Sequence, residues 1–238
     1  MNVAVRQADD MAAGTTIRVA GEMAICDPRG ALYVPALSLL VVSDLHLEKG
    51  SSFARRGTLI PPYDTLATLR LLHAAILDYR PRIVVSLGDS FHDPFGAGRL
   101  PEACRDQIGA LAAGRDWFWI TGNHDPHPPE GLPGETVPEL GVGGLVFRHE
   151  PSVAGGEGEI AGHLHPCARI VQRGRSVRRR CFASDGRRLV MPAFGAFTGS
   201  LNVLDPAYGG LFARDTLMAY MLGQDRVYAF PGGVLRPG

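Results

Sequence analysis

Asp44, His46, Asp89, Asn123, His149, His163 and His165 are carried by five short blocks that recur in one order along the chain. The blocks read Asp44-Leu45-His46, Gly88-Asp89, Gly122-Asn123-His124-Asp125, His149, and Gly162-His163-Leu164-His165. Each follows, or is embedded in, a short apolar run that reads as a strand. Such a chain must fold so that several strand ends gather their loops in one place. Two carboxylates, one amide oxygen and four imidazoles exceed what one four-coordinate ion needs. They suit a pair of divalent ions sharing a bridging carboxylate, a hydrolytic site for phosphate esters.

The apolar runs set the rest of the frame. With 238 residues, 45% of them hydrophobic and 20% charged, the chain can bury a full core within one domain. Residues 1–15 read as a loose lead-in and 16–238 as the single domain. Thr16–Cys26 and Ala31–Val34 flank the turn chemistry of Asp27-Pro28-Arg29-Gly30, which predicts a hairpin. Leu37–Ser43 and Arg82–Leu87 read as strands buried on both faces, and Asp116–Thr121 as a third strand. Between them, apolar residues at Leu66, Leu69, Leu72, Ala75, Ile76 and Tyr79 predict a helix over 62–79, closed by Pro81. A second helix is expected over 100–113. This β-α-β-α-β order predicts an α/β layered core with helices outside the sheet. After Pro126 helical periodicity fades. Short β-like runs at 145–149, 159–161, 168–172, 177–183, 189–192 and 226–230 predict a second sheet packed on the first.

Taken singly, the blocks are weak. Asp44 could cap a helix, Gly88-Asp89 could be an ordinary strand-to-loop turn, and His149 could be a buried, hydrogen-bonded histidine. Together they are specific, since five of the eight histidines fall in these blocks. Strand alternation lets positions i and i+2 face one side, so Asp44 and His46 can grip one ion, and His163 and His165 share one face of an extended segment. Gly88 permits close backbone approach, and Asp89 can bridge two ions through its two oxygens. Asn123 offers a neutral oxygen ligand, and His124 can reach a phosphate instead of a metal.

On these blocks the chain resembles the calcineurin-like metallophosphoesterase superfamily, whose pattern is Asp-x-His, Gly-Asp, Gly-Asn-His-(Asp/Glu), a lone His and Gly-His-x-His. The resemblance implies a four-layer α/β/β/α sandwich with two mixed sheets. It implies one ion held by Asp44, His46, Asp89 and His165, and another by Asp89, Asn123, His149 and His163. His124 is then the non-ligand that assists at phosphate. The implied reaction is in-line attack of a metal-bridging hydroxide. Two divalent ions, two carboxylates and that hydroxide leave a net charge near +1, which suits a phosphodiester anion. No thiolate ligand occurs, so Mn²⁺ or Fe²⁺ fits as well as Zn²⁺.

His92 stands three residues after Asp89, where protein-phosphatase-like members carry Asp; a His there is similar to the DNA nuclease branch. The wider chain resembles the bacterial ligase-associated DNA damage response endonucleases, through Ser43–Gly50, Phe53–Gly57, Pro61–Asp64, Gly88–Asp93, Arg148–Pro151, Gly162–Pro166 and Pro192–Gly195. That resemblance implies Mn²⁺-dependent cleavage of single-stranded DNA, in a repair context shared with a helicase, a nuclease and an ATP-dependent DNA ligase. It makes His124 and His92 the candidate catalytic residues.

Net charge is zero, so affinity for a polyanion must come from local patches. Lys49, the only lysine, and Arg55 follow the first block, and Arg178, Arg179 and Arg180 lie in an arginine-rich stretch after the last. These five are candidate DNA-binding residues; the alternative is that such arginines solvate the outer face of a sheet. A small-molecule phosphodiesterase or phosphatase acting on nucleotides or nucleotide-linked metabolites remains the alternative enzyme, and a non-catalytic scaffold the alternative class. Cys26, Cys104, Cys167 and Cys181 are scattered, which fits free thiols. With no signal-peptide h-region and no long apolar run, a cytoplasmic protein without membrane contact is expected.

Overall fold

The computed structural model describes residues 14–238 apart from 60, 62 and 128. The expected lead-in lies outside the described residues as far as 13, and Thr15 already belongs to a strand. β1 (Thr15–Val19) and β2 (Glu22–Cys26) pair across Ala20 and Gly21, whose φ angles are 51° and 84°. The run Thr16–Cys26 is therefore itself a hairpin and not one arm. The Asp27–Gly30 turn then leads into β3 (Leu32–Val34), with the Arg29 N–H donating to Asp27 Oδ1 at 2.7 Å.

β4 (Leu39–Val42), β5 (Ile83–Ser86), β6 (Asp116–Ile120) and β7 (Glu135–Val137) complete a seven-stranded sheet in the order β1 to β7. Its first four strands are antiparallel, and β4 through β7 run parallel. Alternation divides their side chains cleanly. Leu40, Val42, Val84, Trp117 and Trp119 face the helices, while Leu39, Val41, Val85 and Ile120 face the second sheet. The helices are α1 (Lys49–Arg55), α2 (Asp64–Tyr79), α3 (Gly96–Arg99) and α4 (Glu102–Ala112). Leu69, Leu72 and Ile76 of α2 and Ile108 and Leu111 of α4 close the core on that side.

The second sheet is nine-stranded and mixed. It contains β8 (Glu139–Val142), β9 (Leu145–Arg148), β10 (Glu159–Ala161), β11 (Pro166–Gln172), β12 (Arg175–Ser184), β13 (Leu189–Val190), β14 (Leu201–Asn202), β15 (Met218–Leu222) and β16 (Val227–Pro231). The order is β14-β11-β12-β13-β10-β9-β8, with β15 on β12 and β16 on β15. Phe147, Ile160, Phe182 and Leu189 pack from it against the first sheet. The two mixed sheets of the expected sandwich are thus present. Over the outer face of the second sheet, Tyr208, Leu211, Leu217 and Leu235 form the cover. Among the described residues that layer is built of loops and 3-10 turns at Pro206–Tyr208 and Gly232–Val234 and not of α-helix.

The parallel strands β4, β5 and β6 of one sheet, and β9 and β10 of the other, are what position the site. Asp44, Asp89, Asn123, His149 and His163 each follow the C-terminal end of one of these strands. Cross-links between the ends hold them in register: the Asp44 N–H donates to the Gly88 carbonyl at 3.3 Å, and the Gly162 N–H to the His149 carbonyl at 2.8 Å.

Candidate metal centre

Past β4 the chain leaves extended geometry. Asp44 and His46 take left-handed φ angles of 51° and 43°, and Asp89, His163 and His165 do the same at 47°, 67° and 45°. Strand alternation therefore does not bring Asp44 and His46 together; successive left-handed turns do. The same holds for Gly162-His163-Leu164-His165, where the two imidazoles part and do not share a face. His165 joins Asp44 and His46, and His163 joins Asp89 and His149. Left-handed backbone costs a residue with a Cβ about 1–2 kcal/mol, and five such residues meet here.

In the first cluster, Nε2 of His165 lies 3.1 Å from Asp44 Oδ1 and 3.3 Å from Nε2 of His46. Asp44 is fully buried and accepts from Ser43 Oγ at 2.5 Å and from the His163 N–H at 3.1 Å. Burial pushes its carboxyl up, but the His165 bond, with His149 and Ser43 acting the same way, outweighs that and holds it below the ordinary range. For His46 burial dominates and brings the imidazole down to about 3, so it is neutral and offers a lone pair. His46 Nδ1 is buried with no protein partner.

In the second cluster, Nε2 of His149 lies 2.9 Å from Asn123 Oδ1, 3.2 Å from Nδ1 of His163 and 3.5 Å from Asp89 Oδ1. Nδ1 of His149 donates to the Leu87 carbonyl at 2.8 Å, which fixes the tautomer and turns an Nε2 lone pair toward these atoms. In each cluster imidazole nitrogens and a carboxylate oxygen converge within 4.8 Å of one another, and these donors are the ligand types of Mn²⁺, Fe²⁺ and Zn²⁺. The residues fit divalent ions.

Asp89 lies between the clusters. Its Oδ1 faces His149, and its Oδ2 lies 3.9 Å from Nε2 of both His46 and His124. The His124 N–H donates to Oδ1 at 2.9 Å, and the His124 ring donates from Nδ1 to the His92 carbonyl at 2.9 Å. The His92 ring stacks on that of His124 at 5.4 Å between centroids and meets His46 edge-on at 5.5 Å. Burial, with the charges of Lys49, His124 and Arg56 adding to it, lowers His92 to about 4. Behind them Asp125 Oδ2 accepts from the Phe91 N–H at 3.1 Å and pins the loop after β5. Burial, with the Asp89 charge adding to it, pushes Asp125 up to about 7.

A model of the calcineurin-like phosphoesterase family matches residues 37–181, more than half of the chain and all five blocks. The chain belongs to that family. This phosphoesterase is a metal-dependent hydrolase, and the clusters around Asp89 are where its metal would bind. It is similar, at 28% identity and a TM-score of 0.69, to the crystal structure of Pseudomonas putida nuclease MPE, over 91% of this chain and 100% of that one. It is also similar to the E. coli phosphoesterase Yfce, at 18% identity and a TM-score of 0.41, over 81% of this chain and 98% of that one. No curated protein matches the sequence.

The basic candidates of the phosphoesterase divide. Lys49 sits at the rim, its ammonium 5.8 Å over the Phe53 ring and donating to the Phe197 carbonyl at 2.7 Å. Arg55 is exposed at the end of α1. Arg178 and Arg179 lie on the exposed half of β12, pointing to opposite faces of the strand; Arg178 donates to the Ser200 carbonyl at 2.7 Å. Arg180 departs from the expectation of a DNA contact. Its guanidinium donates to the carbonyls of Ala193 at 2.7 Å and Gly195 at 3.4 Å, so it holds a loop. That loop returns hydrogen bonds from the N–H groups of Phe194 and Gly195 to the carbonyls of Ser43 and Asp44. Sequence reasoning missed Ser43 and the Leu87 carbonyl as supports. A hydroxyl ending the apolar run Leu39–Val42 is the one sequence trace of the first, and a backbone carbonyl leaves none.

Proposed function

We propose that this phosphoesterase is an endonuclease that hydrolyses phosphodiester bonds of single-stranded DNA, using two divalent ions, Mn²⁺ foremost. The observation that carries the binuclear part is Asp89, with one oxygen turned to each cluster. In this reading Asp44, His46, Asp89 and His165 hold one ion, and Asp89, Asn123, His149 and His163 the other. When bound, the ions supply Lewis acidity to the phosphoryl oxygens and make a water nucleophilic at neutral pH. His124 contributes from the open side: anchored through Nδ1, it holds a proton at Nε2 for a phosphate oxygen or the leaving oxygen. His92 keeps that ring in place by stacking and by its carbonyl.

The DNA part is supported by the likeness to the Pseudomonas putida nuclease along nearly the whole chain, and by a cavity lined by Arg55 and Arg56 at the end of α1. The reading includes functional association with a repair helicase, a nuclease and an ATP-dependent ligase in the cytoplasm. Among the described residues no helix is long and apolar enough to cross a membrane. Turnover of single-stranded DNA, double-stranded DNA, bis-(p-nitrophenyl) phosphate and a nucleotide panel, each with Mn²⁺ and with chelator, tests it. Metal-dependent cleavage of single strands is expected to exceed that of duplex. Rapid turnover of a nucleotide with no DNA cleavage would establish the small-molecule enzyme instead.

A further inference from the structure

Beside the metal centre, Asp93 and Arg99 form a bidentate pair at 2.9 and 2.6 Å. Arg99 also donates to Ser51 Oγ of α1 at 2.9 Å, and the Phe95 N–H donates to Asp93 Oδ1 at 2.9 Å. The segment 93–99 is thereby fixed to α1. What it holds up is Phe95, a large aromatic 69% exposed. Four charge-assisted or capping hydrogen bonds hold the segment that presents this ring to solvent.

Two cavities, of ≈ 410 and ≈ 340 Å³, lie on either side of this residue and share Asp93, Pro94, Phe95 and Arg99 as walls. Each is within the ~300–1,000 Å³ range of small-ligand sites. The smaller one is bounded by Ser52, Arg55 and Arg56 at the end of α1. Both arginines are exposed, and among the described residues neither guanidinium has a carboxylate or carbonyl partner. The larger cavity carries no such cations; Asp125, His127 and Glu130 line it. Anion affinity therefore belongs to one side of the phenyl ring. That side lies toward the metal centre: the Phe53 ring, one turn of α1 away from Arg56, is 5.5 Å from the ring of His92, which stacks on His124.

We infer that Phe95, Arg55 and Arg56 form a subsite for a nucleotide flanking the scissile phosphate of single-stranded DNA, the base stacked on Phe95 and its phosphate held by the two arginines. This rests on the nuclease reading above. An aromatic face beside paired guanidinium groups is the chemistry that takes an unstacked base and its phosphate without reading sequence.

The test uses the full chain with Mn²⁺ and compares an oligothymidylate with bis-(p-nitrophenyl) phosphate, which has no flanking nucleotide. Phe95→Ala should raise KM for the oligonucleotide about tenfold to a hundredfold, the loss of one stacked base. Phe95→Trp should restore it. Arg55→Ala with Arg56→Ala should also raise KM and flatten its dependence on salt. Hydrolysis of the small diester should be unchanged in all three. An unaltered KM in Phe95→Ala, or equal losses on both substrates, overturns the subsite while leaving the nuclease reading standing. A parent protein that turns over the diester but no oligonucleotide overturns that reading, and the nucleotide occupant with it.

Discussion

A Cβ on Gly88 would lie 2.5 Å from Nδ1 of His149, so the bare backbone at 88 and the imidazole at 149 share space that no other side chain can enter. Gly88 also has φ of 73°, a conformation that a residue with a Cβ resists. Gly88→Ala should push His149 off the Leu87 carbonyl and empty the second cluster first. Metal analysis should show a variant that keeps less than the full complement of ions while its circular dichroism matches the parent. A fully loaded Gly88→Ala protein would contradict the ligand role of His149.

In the proposed two-ion reading, Asp89 serves both clusters. Asp89→Asn preserves shape and the acceptor for the His124 N–H, but removes the charge between the sites. Hydrolysis of a small diester should fall at least about a hundredfold, the scale of losing one key electrostatic group. Raising Mn²⁺ should recover little of it. Parent-like rates in this variant would remove the bridging assignment.

The proposed function makes His124 a catalytic group and not a metal ligand. Its ring is anchored to the His92 carbonyl and is partly open to solvent, with side-chain exposure of 40%. His124→Ala should retain its ions yet lose about 10²–10³ in turnover. Loss of an ion together with high residual activity would make His124 a ligand.

Arg180 and Arg179, adjacent on β12, should behave oppositely. Arg180→Ala leaves the carbonyls of Ala193 and Gly195 without their donor, at a cost of about 1–3 kcal/mol, and loosens the loop that supports Ser43 and Asp44. It should lower the melting temperature and slow both DNA and small-diester hydrolysis. Arg179→Ala, on the exposed face, should change stability by less than about 0.5 kcal/mol. A thermal melt of each variant decides between these roles.

Much of the frame was legible because burial on both faces writes a continuous apolar run. β4, β5 and β6 were read from such runs, and α2 from the stripe Leu69, Leu72, Ile76. β7 is three residues long and partly exposed, and β14 only two, so neither carries a periodic signal. α1 was hidden for another reason. Gly50, Ser51 and Ser52 are poor helix formers, and its first N–H groups are satisfied from a distance, Lys49 and Gly50 donating to Asp64 Oδ2 at 2.8 and 3.2 Å. A cap fifteen residues downstream leaves no local trace.

At the metal centre, the identity and order of the ligand-type residues were legible, whereas the way they converge was not. Left-handed backbone is announced by glycine, and here it falls on aspartate and histidine. The separation of His163 from His165 into different clusters follows from those turns and contradicts the simple alternation expected of an extended segment.

Those left-handed ligand positions set folding against chemistry. At His163, with φ of 67°, glycine would relieve the backbone, and the protein without metal should tolerate that exchange with little loss of stability while hydrolysis disappears. Selection of this chain for heat resistance alone would thus draw substitutions to the residues proposed to hold its metal. A thermostable variant obtained without a screen for turnover should be suspected first at Asp44, His46, Asp89, His163 and His165.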